Sequence, residues 1–337
     1  MNRGGTVRYL IKRLAFLLFT LWLAVTLNFL IPRLMPGNPA QIMVQKLVGE
    51  GPVNPQLVRA VGIMLGLPRG TLWHQYVLYV HNLLHGNFGV SYTYFPYPVM
   101  AVIAQALPWT LILLGTTTII TFILGTALGA LAASRRGTWF DTTATITANF
   151  TATFPFFWTA LMALYVLGFV LHWFPQSGGY DAAMMPQWSA TFVLSAVYHS
   201  VLPALVIVVT GTGGWLFGMR NNMIHVLGED YVRLAMAKGL PRREIALAYG
   251  ARNAILPNLT GFAMSLGTLV GGSILVETVF SYPGMGYLLF NAVGNSDYPL
   301  MQTIFLFITI GTLIANFVAD ILYGVLDPRT RRGGVSA

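Results

Sequence analysis

The chain has 337 residues, of which 55% are hydrophobic and only 9% charged, with a mean hydropathy of +0.66. So few polar residues cannot clothe a soluble surface, and lipid must be the solvent over much of this one. The formal charge of +9 does not indicate a nucleic-acid binder, because the basic residues fall in short clusters between apolar runs, and the absence of cysteine excludes a disulfide framework and a thiolate metal site.

The N-terminus carries Arg3, Arg8, Lys12 and Arg13 ahead of an apolar run. That run is too long for the core of a secretory signal, and Phe29-Leu30-Ile31-Pro32-Arg33 offers no small-residue cleavage site, so residues 1–32 are expected to remain as a first membrane helix. Residues 14–31, 101–134, 142–180, 182–219, 253–276 and 298–319 contain no Asp, Glu, Lys or Arg. A helix of about 20 residues crosses ~30 Å of hydrocarbon, so these runs predict an all-α membrane protein with six transmembrane helices.

Basic residues are retained on the cytoplasmic side. They cluster at the N-terminus, at Arg135 and Arg136, between 220 and 253, and at Arg329, Arg331 and Arg332, whereas 173–188 and 281–299 have none. Both termini are therefore expected in the cytoplasm of a multi-pass protein of the cell membrane. Residues 33–100 carry Arg33, Lys46, Arg59 and Arg69, but so long a loop escapes the rule and is expected outside, as an extracytoplasmic subdomain. Pro36, Gly37, Pro39, Gly51, Pro52 and Pro55 break its first half. In its second half Leu72, Tyr76, Tyr79, Val80 and Leu83 recur at three- and four-residue spacing, which predicts an amphipathic helix over Leu72 to Leu84. His74, His81 and His85 share roughly one face of it, and His81 and His85 have a spacing that metals use, but no carboxylate or thiol sits within a turn of them and the neighbours are aromatic, so a docking surface and no metal is expected.

Residues 101–326 are expected to form the membrane core, with five further spans, and 327–337 a cytoplasmic tail. Pro108, Pro155 and Pro203 fall within the second, third and fourth spans, where each removes a backbone donor. The small residues Gly125 and Gly129, and Gly267, Gly271 and Gly272, allow close helix approach, within the chain or against a second subunit. Trp139, Trp158, Trp173 and Trp188 flank spans and read as interfacial anchors. Phe154, Phe156, Phe157 and Trp158 suit lipid contact or sugar stacking.

The segment 221–253 between the fourth and fifth spans is the longest basic loop. Glu229 and Asp230 suit the positive end of a helix, and Glu229 can pair with Arg233 one turn on. Lys238 suits the last turn, Gly239 the left-handed position beyond it, and Pro241 the first turn of a second helix. Val232, Ala235, Met236 and Gly239 then make an apolar edge able to enter a groove on another protein.

This segment resembles the cytoplasmic signature by which ABC importer permeases dock onto their ATPase. More narrowly, Asp230-Tyr-Val-Arg, Ala235-x-Ala-Lys-Gly239-Leu and Arg252-Asn-Ala-x-Leu-Pro257 resemble the dipeptide, oligopeptide and nickel permease family, in its first-permease, B-type form. Further blocks are similar: Arg13 to Pro39, ending Pro32-Arg-Leu-Met-Pro-Gly-Asn-Pro39, then Gly86-Asn-Phe-Gly-Val-Ser91 with Pro98-Val99, Glu277-Thr-Val-Phe-Ser-Tyr-Pro-Gly-Met-Gly286, Asp297-Tyr-Pro299 and Leu326-Asp-Pro-Arg329. Tyr249 stands where that family often has His. The resemblance implies that Glu229, Asp230, Arg233, Ala235, Ala237, Lys238, Gly239 and Leu240 couple to an ATPase. It also implies a second homologous permease, two ATPases that bind ATP and magnesium, and an extracytoplasmic substrate-binding protein as partners. The cargo is expected to be di- or oligopeptide, with oligosaccharide or nickel as alternatives.

No G-x-x-x-x-G-K-[ST] phosphate loop occurs in the chain, so ATP binding and hydrolysis belong to a partner and no cofactor is expected here. Glu277 and Phe280 are the candidates for the substrate path, with Glu277 lining it or holding the Ser281 to Gly286 turn. Asp320 favours a structural role. An ATP-independent secondary transporter would show inverted repeats and mid-membrane ionisable groups, and a membrane enzyme would show His-Glu-x-x-His, Gly-x-Ser-x-Gly or paired intramembrane Asp; none is visible.

Overall fold

The computed structural model describes residues 3–34, 38–49, 54–67 and 70–326, with the backbone alone at 3–14, 46–47 and 319–326. The side chains of Arg3, Arg8, Lys12, Arg13, Lys46 and Asp320 lie outside this set. So do Pro36, Gly37, Gly51, Pro52, Arg69 and the tail with Arg329, Arg331 and Arg332.

The described residues are helical throughout, apart from loops and one isolated bridge between Val90 and Pro98. α1 (Arg3–Leu34) is the first span, followed by the short helices α2 (Pro39–Val48), α3 (Pro55–Met64) and α4 (Leu72–Leu84). α5 (Val99–Ser134) is the second span, and α6 (Trp139–Thr153) and α7 (Phe156–Val170) form a pair bent by 92°. α8 (Ala190–Leu227) leads into the short α9 (Asp230–Ala237), and α10 (Arg242–Gly271) follows. α11 (Ile274–Val279), α12 (Met285–Gly294) and the last span, α13 (Tyr298–Leu326), complete the chain. By length and composition five helices can cross a membrane, or six counting the bent pair as one.

Three sequence expectations need correction. The third span is no straight helix over 142–180. Phe154, with φ −75° and ψ 132°, leaves the helical region ahead of Pro155, which itself has no N–H to donate, so the chain turns there and helix ends at Val170. The fifth span starts at Arg242 and stops at Gly271 rather than running over 253–276, because Gly272 takes φ +70° with its backbone against Gly286. Finally, Pro39 and Pro55 start helices instead of breaking them. Each occupies the first helical turn behind an Asn cap, Asn38 accepting from Ala40 N and Asn54 from Gln56 N.

Glycines set the bundle's closest approaches. At Gly125 a Cβ would lie 2.5 Å from Trp215 Cβ and 2.6 Å from the Thr212 oxygen, and at Gly129 one would lie 2.5 Å from the Leu216 oxygen. The rising order on both helices makes α5 and α8 parallel. Gly267 meets Gly311 and Ala315, and Gly271 meets Ile308, in antiparallel packing of α10 on α13. These small-residue pairs therefore serve contacts within the chain, where dispersion replaces the missing hydrophobic drive. Asn258 ties three spans, donating to the Trp215 oxygen at 3.0 Å and to Thr126 Oγ1 at 3.3 Å. At the opposite end Asn28 on α1 donates to the Gln302 oxygen on α13.

Candidate functional site

The predicted coupling loop folds as two helices around a glycine corner. α8 ends at Leu227, and only Gly228 and Glu229 separate it from α9. α9 ends at Ala237, Lys238 caps it, and Gly239 takes φ +77° with open space around it. Leu240 and Pro241 then lead into α10. Pro241 is the extended cap of that helix rather than a member of its first turn.

Val232 and Ala235 are buried, together with Ile245 and beside Leu227, Leu240 and Tyr249. The apolar edge expected to face a partner is thus split, with Val232 and Ala235 turned inward to weld α9 to α10. Asn253 adds a hydrogen bond to Tyr231 Oη at 3.2 Å across the same corner. The opposite side of α9 carries Asp230, Arg233, Leu234 and Ala237, all exposed, with Met236, Lys238 and Gly239 also exposed and Leu240 half-buried. Arg233 pairs with Asp230 at 3.4 Å, and Glu229 points to His225 at 3.5 Å, not to Arg233. Such exposed pairs contribute under about 1 kcal/mol and leave the face free to exchange partners.

A second constellation lies at the far end of the bundle. Glu277 is fully buried and accepts from Thr110 Oγ1 at 2.9 Å, Gly286 N at 2.6 Å and Tyr287 N at 3.1 Å. The N-cap of α12 is Gly284, which has no side chain, so Glu277 supplies the missing acceptor to the first turn of that helix. Gly284 is obligatory, since a Cβ there would meet both Glu277 and Thr110. Of the two roles open to Glu277, the bonds are those of a group holding the 281–286 turn. Phe280 is 2% exposed and packs with Leu113, Leu202 and Tyr282. At the same end Asp297, also buried, accepts from Ser91 Oγ at 2.5 Å and Thr93 N at 2.8 Å, which joins two of the family-like blocks. Burial pushes the neighbouring Tyr92 phenol well above the usual tyrosine range, so it keeps its proton. On α4, the His81 and His85 rings stack with centroids 4.2 Å apart, and His85 Nδ1 lies 2.8 Å from the His81 oxygen. Among the described residues no group of three or more His, Cys, Asp or Glu could hold a metal.

One inter-helix ion pair was not foreseen in the sequence. Arg220 on α8 forms a bidentate pair with Asp141 on α6, Nε to Oδ1 at 2.6 Å and Nη2 to Oδ2 at 2.9 Å, while Gly137 N donates to Oδ2 at 3.0 Å. The signal was present: Asp141 and Arg220 stand just outside two uncharged runs, at span ends expected on the same side. The pair clamps the third span to the helix that carries α9.

Over residues 125–332 the sequence matches the family described as "Binding-protein-dependent transport system inner membrane component". It is 34% identical over 336 residues to the di/tripeptide transport system permease protein DppB of Pseudomonas aeruginosa, covering 96% of this chain and 98% of that one. It is 32% identical over 344 residues to the dipeptide permease DppB of Escherichia coli K12, covering 96% and 99%. To the oligopeptide permease AppB of Bacillus subtilis it is 30% identical over 322 residues, covering 95% and 98%.

Proposed function

The chain belongs to the family of binding-protein-dependent transport system inner membrane components, and on that footing we propose that it forms half of the translocation pathway of an ATP-driven di- or oligopeptide importer and takes its drive through α9. The printed names of its relatives, for di- and tripeptides, dipeptides and oligopeptides, favour peptide cargo over oligosaccharide or nickel. The chain itself is a transport subunit and not an enzyme. Its partners in this reading are a second, homologous permease, two ATPases and an extracytoplasmic binding protein.

The clustering of Lys and Arg supports a cytoplasmic position for both termini and for α9, with 33–100 outside. The small core of Ala40, Val44, Val61, Leu65 and Tyr92 supports treating that outer segment as a subdomain. A buried Glu277 that fixes the first turn of α12 supports a shaping role at the outer end of the pathway, with Phe280 packed among Leu113, Leu202 and Tyr282.

The observation that carries the coupling role is α9 itself: exposed on one side, welded to α10 on the other, and separated from α8 by two residues. Movement of a docked ATPase would displace α9 without bending it, and α8 and α10 would follow together. Through Arg220 and Asp141 the third span would follow as well. A bundle with two packings then opens alternately to either side.

Single cysteines test the docking face in this cysteine-free chain. Ala237→Cys should cross-link to the ATPase of the assembled importer, whereas the inward-facing Ala235→Cys should not. Equal cross-linking from both positions, or none from Ala237→Cys, would place the contact elsewhere.

A further inference from the structure

The outer end of α1 carries an arginine with no ionic partner. Arg33 lies with its Cζ 3.6 Å from the centre of the Phe29 ring, donates from Nη1 to the Phe29 oxygen at 2.8 Å, and from Nε to Gln75 Oε1 at 3.2 Å. Its remaining terminal nitrogen has no hydrogen-bond partner, and no carboxylate is within ion-pair distance, among the described residues. The guanidinium is held in place by its own helix, by the face of the Phe29 ring and by α4, yet no negative charge answers it among the described residues.

Arg33 lines a cavity of about 190 Å³ between α1, α4, the 87–92 loop and the start of α13. Tyr79, Asn82, Tyr92 and Gln302 give it polar walls, and Leu78 and Leu306 give it aliphatic ones. Such a mixed lining fits a ligand with an anionic head on an apolar body.

The depth of the cavity points to the source of that ligand. α4 does not stand above the span but crosses it, since its adjacent residues Tyr76 and Gln75 reach Thr26 and Arg33 of α1, Thr26 Oγ1 meeting Tyr76 Oη at 2.8 Å. At 1.5 Å per residue Thr26 is about 10 Å further into the bilayer than Arg33. The face that α4 turns away from the protein carries Leu72, Trp73, Val77 and Leu84, all exposed. An apolar face with a tryptophan at that depth belongs to an interfacial helix, set in the outer leaflet where headgroups meet acyl chains. The exposed Leu30, Ile31 and Leu34 of α1 continue the same apolar surface.

We propose that this cavity holds the phosphate of one outer-leaflet phospholipid on Arg33, with the acyl chains lying against α4 and the end of α1. A guanidinium presents donors in the fork that a phosphodiester accepts, and a low-dielectric wall strengthens the contact. The bound lipid joins α4 to the first span and so anchors the outer subdomain to the bundle.

The test uses the assembled importer, stripped in detergent, reloaded from phosphatidylglycerol vesicles, washed, and weighed by native mass spectrometry. The wild type should retain one more phospholipid per copy of this chain than Arg33→Gln. Asn82→Trp, which fills the cavity without touching the charge, should lose the same molecule, and Arg33→Lys should keep it in part. Equal lipid counts in the wild type and in intact Arg33→Gln and Asn82→Trp complexes would overturn the proposal. Retention of inorganic phosphate in an Arg33-dependent way, with no lipid bound, would overturn it too, by assigning the cavity to the free anion.

Discussion

Removing the carboxylate of the Asp141 and Arg220 pair is the most informative perturbation of the bundle. In Asp141→Asn the guanidinium loses both charge-assisted hydrogen bonds, and Gly137 N loses an ionised acceptor. Breaking a buried pair by deleting one partner costs about 3–5 kcal/mol, because a charge is left without compensation. Here Asp141 is the buried partner at 6% exposure and Arg220 the less buried at 20%, so the orphaned cation can reach partway to water. The expected loss is therefore at or just below the bottom of that range, about 2–3 kcal/mol. Arg220→Met removes the same bonds but leaves a buried carboxylate, and should cost at least as much. The double variant Asp141→Asn/Arg220→Met leaves no charge behind and should be closer to the wild type than the sum of the two. The assay is a double-mutant cycle on unfolding of the lipid-reconstituted chain. Strict additivity would show that the two side chains do not act together and would refute the clamp between the third and fourth spans.

Other outcomes follow from single contacts. Gly125→Leu should prevent assembly of α5 on α8, because even a Cβ would sit 2.5 Å from Trp215 Cβ, and Gly125→Ala should cost about 1–3 kcal/mol on thermal unfolding. Glu277→Gln keeps the shape but aims an amide NH₂ at donors, so it should destabilise by about 1–3 kcal/mol and raise hydrogen exchange in the first turn of α12; unchanged exchange there would contradict the capping role. Gly239→Trp should fold, with a backbone cost of about 1–2 kcal/mol for a left-handed residue in open space, and should uncouple ATP hydrolysis from uptake; normal uptake would contradict the docking assignment. Trp188→Cys, at a residue 99% exposed, should react with an impermeant maleimide from outside intact cells and Arg243→Cys only after permeabilisation, and the reverse pattern would invert the topology.

What could be read from the sequence divides along physical lines. Lipid-facing spans announce themselves through uninterrupted apolar runs, so α1, α5, α8 and α13 were legible as such. The Gly239 corner was legible because a positive φ selects for glycine wherever it occurs. The bend in the third span was not, since a proline inside a membrane helix is as compatible with a continuous helix, as at Pro108 and Pro203, as with the full break at Pro155. The helices after Asn38 and Asn54 were hidden by counting prolines as breakers without weighing the cap in front of them. The direction faced by Val232 and Ala235 depends on Ile245, ten residues beyond Ala235 across a turn whose angle no local pattern sets. The pairing of Asp141 with Arg220 is likewise a fact of tertiary packing, legible only as two charges left at the edges of uncharged runs.

Energy coupling through the outward side of α9 is tested most directly by placing a charge on that side without touching the inward weld. Leu234 is 57% exposed, so Leu234→Asp should leave the fold and membrane insertion unchanged. In liposomes with the partner permease, the ATPases and a peptide-loaded binding protein, the buried unpaired carboxylate should weaken docking and cut ATP-driven peptide uptake roughly tenfold or more. Uptake at the wild-type rate, in a variant confirmed to be assembled and stable, would contradict the account.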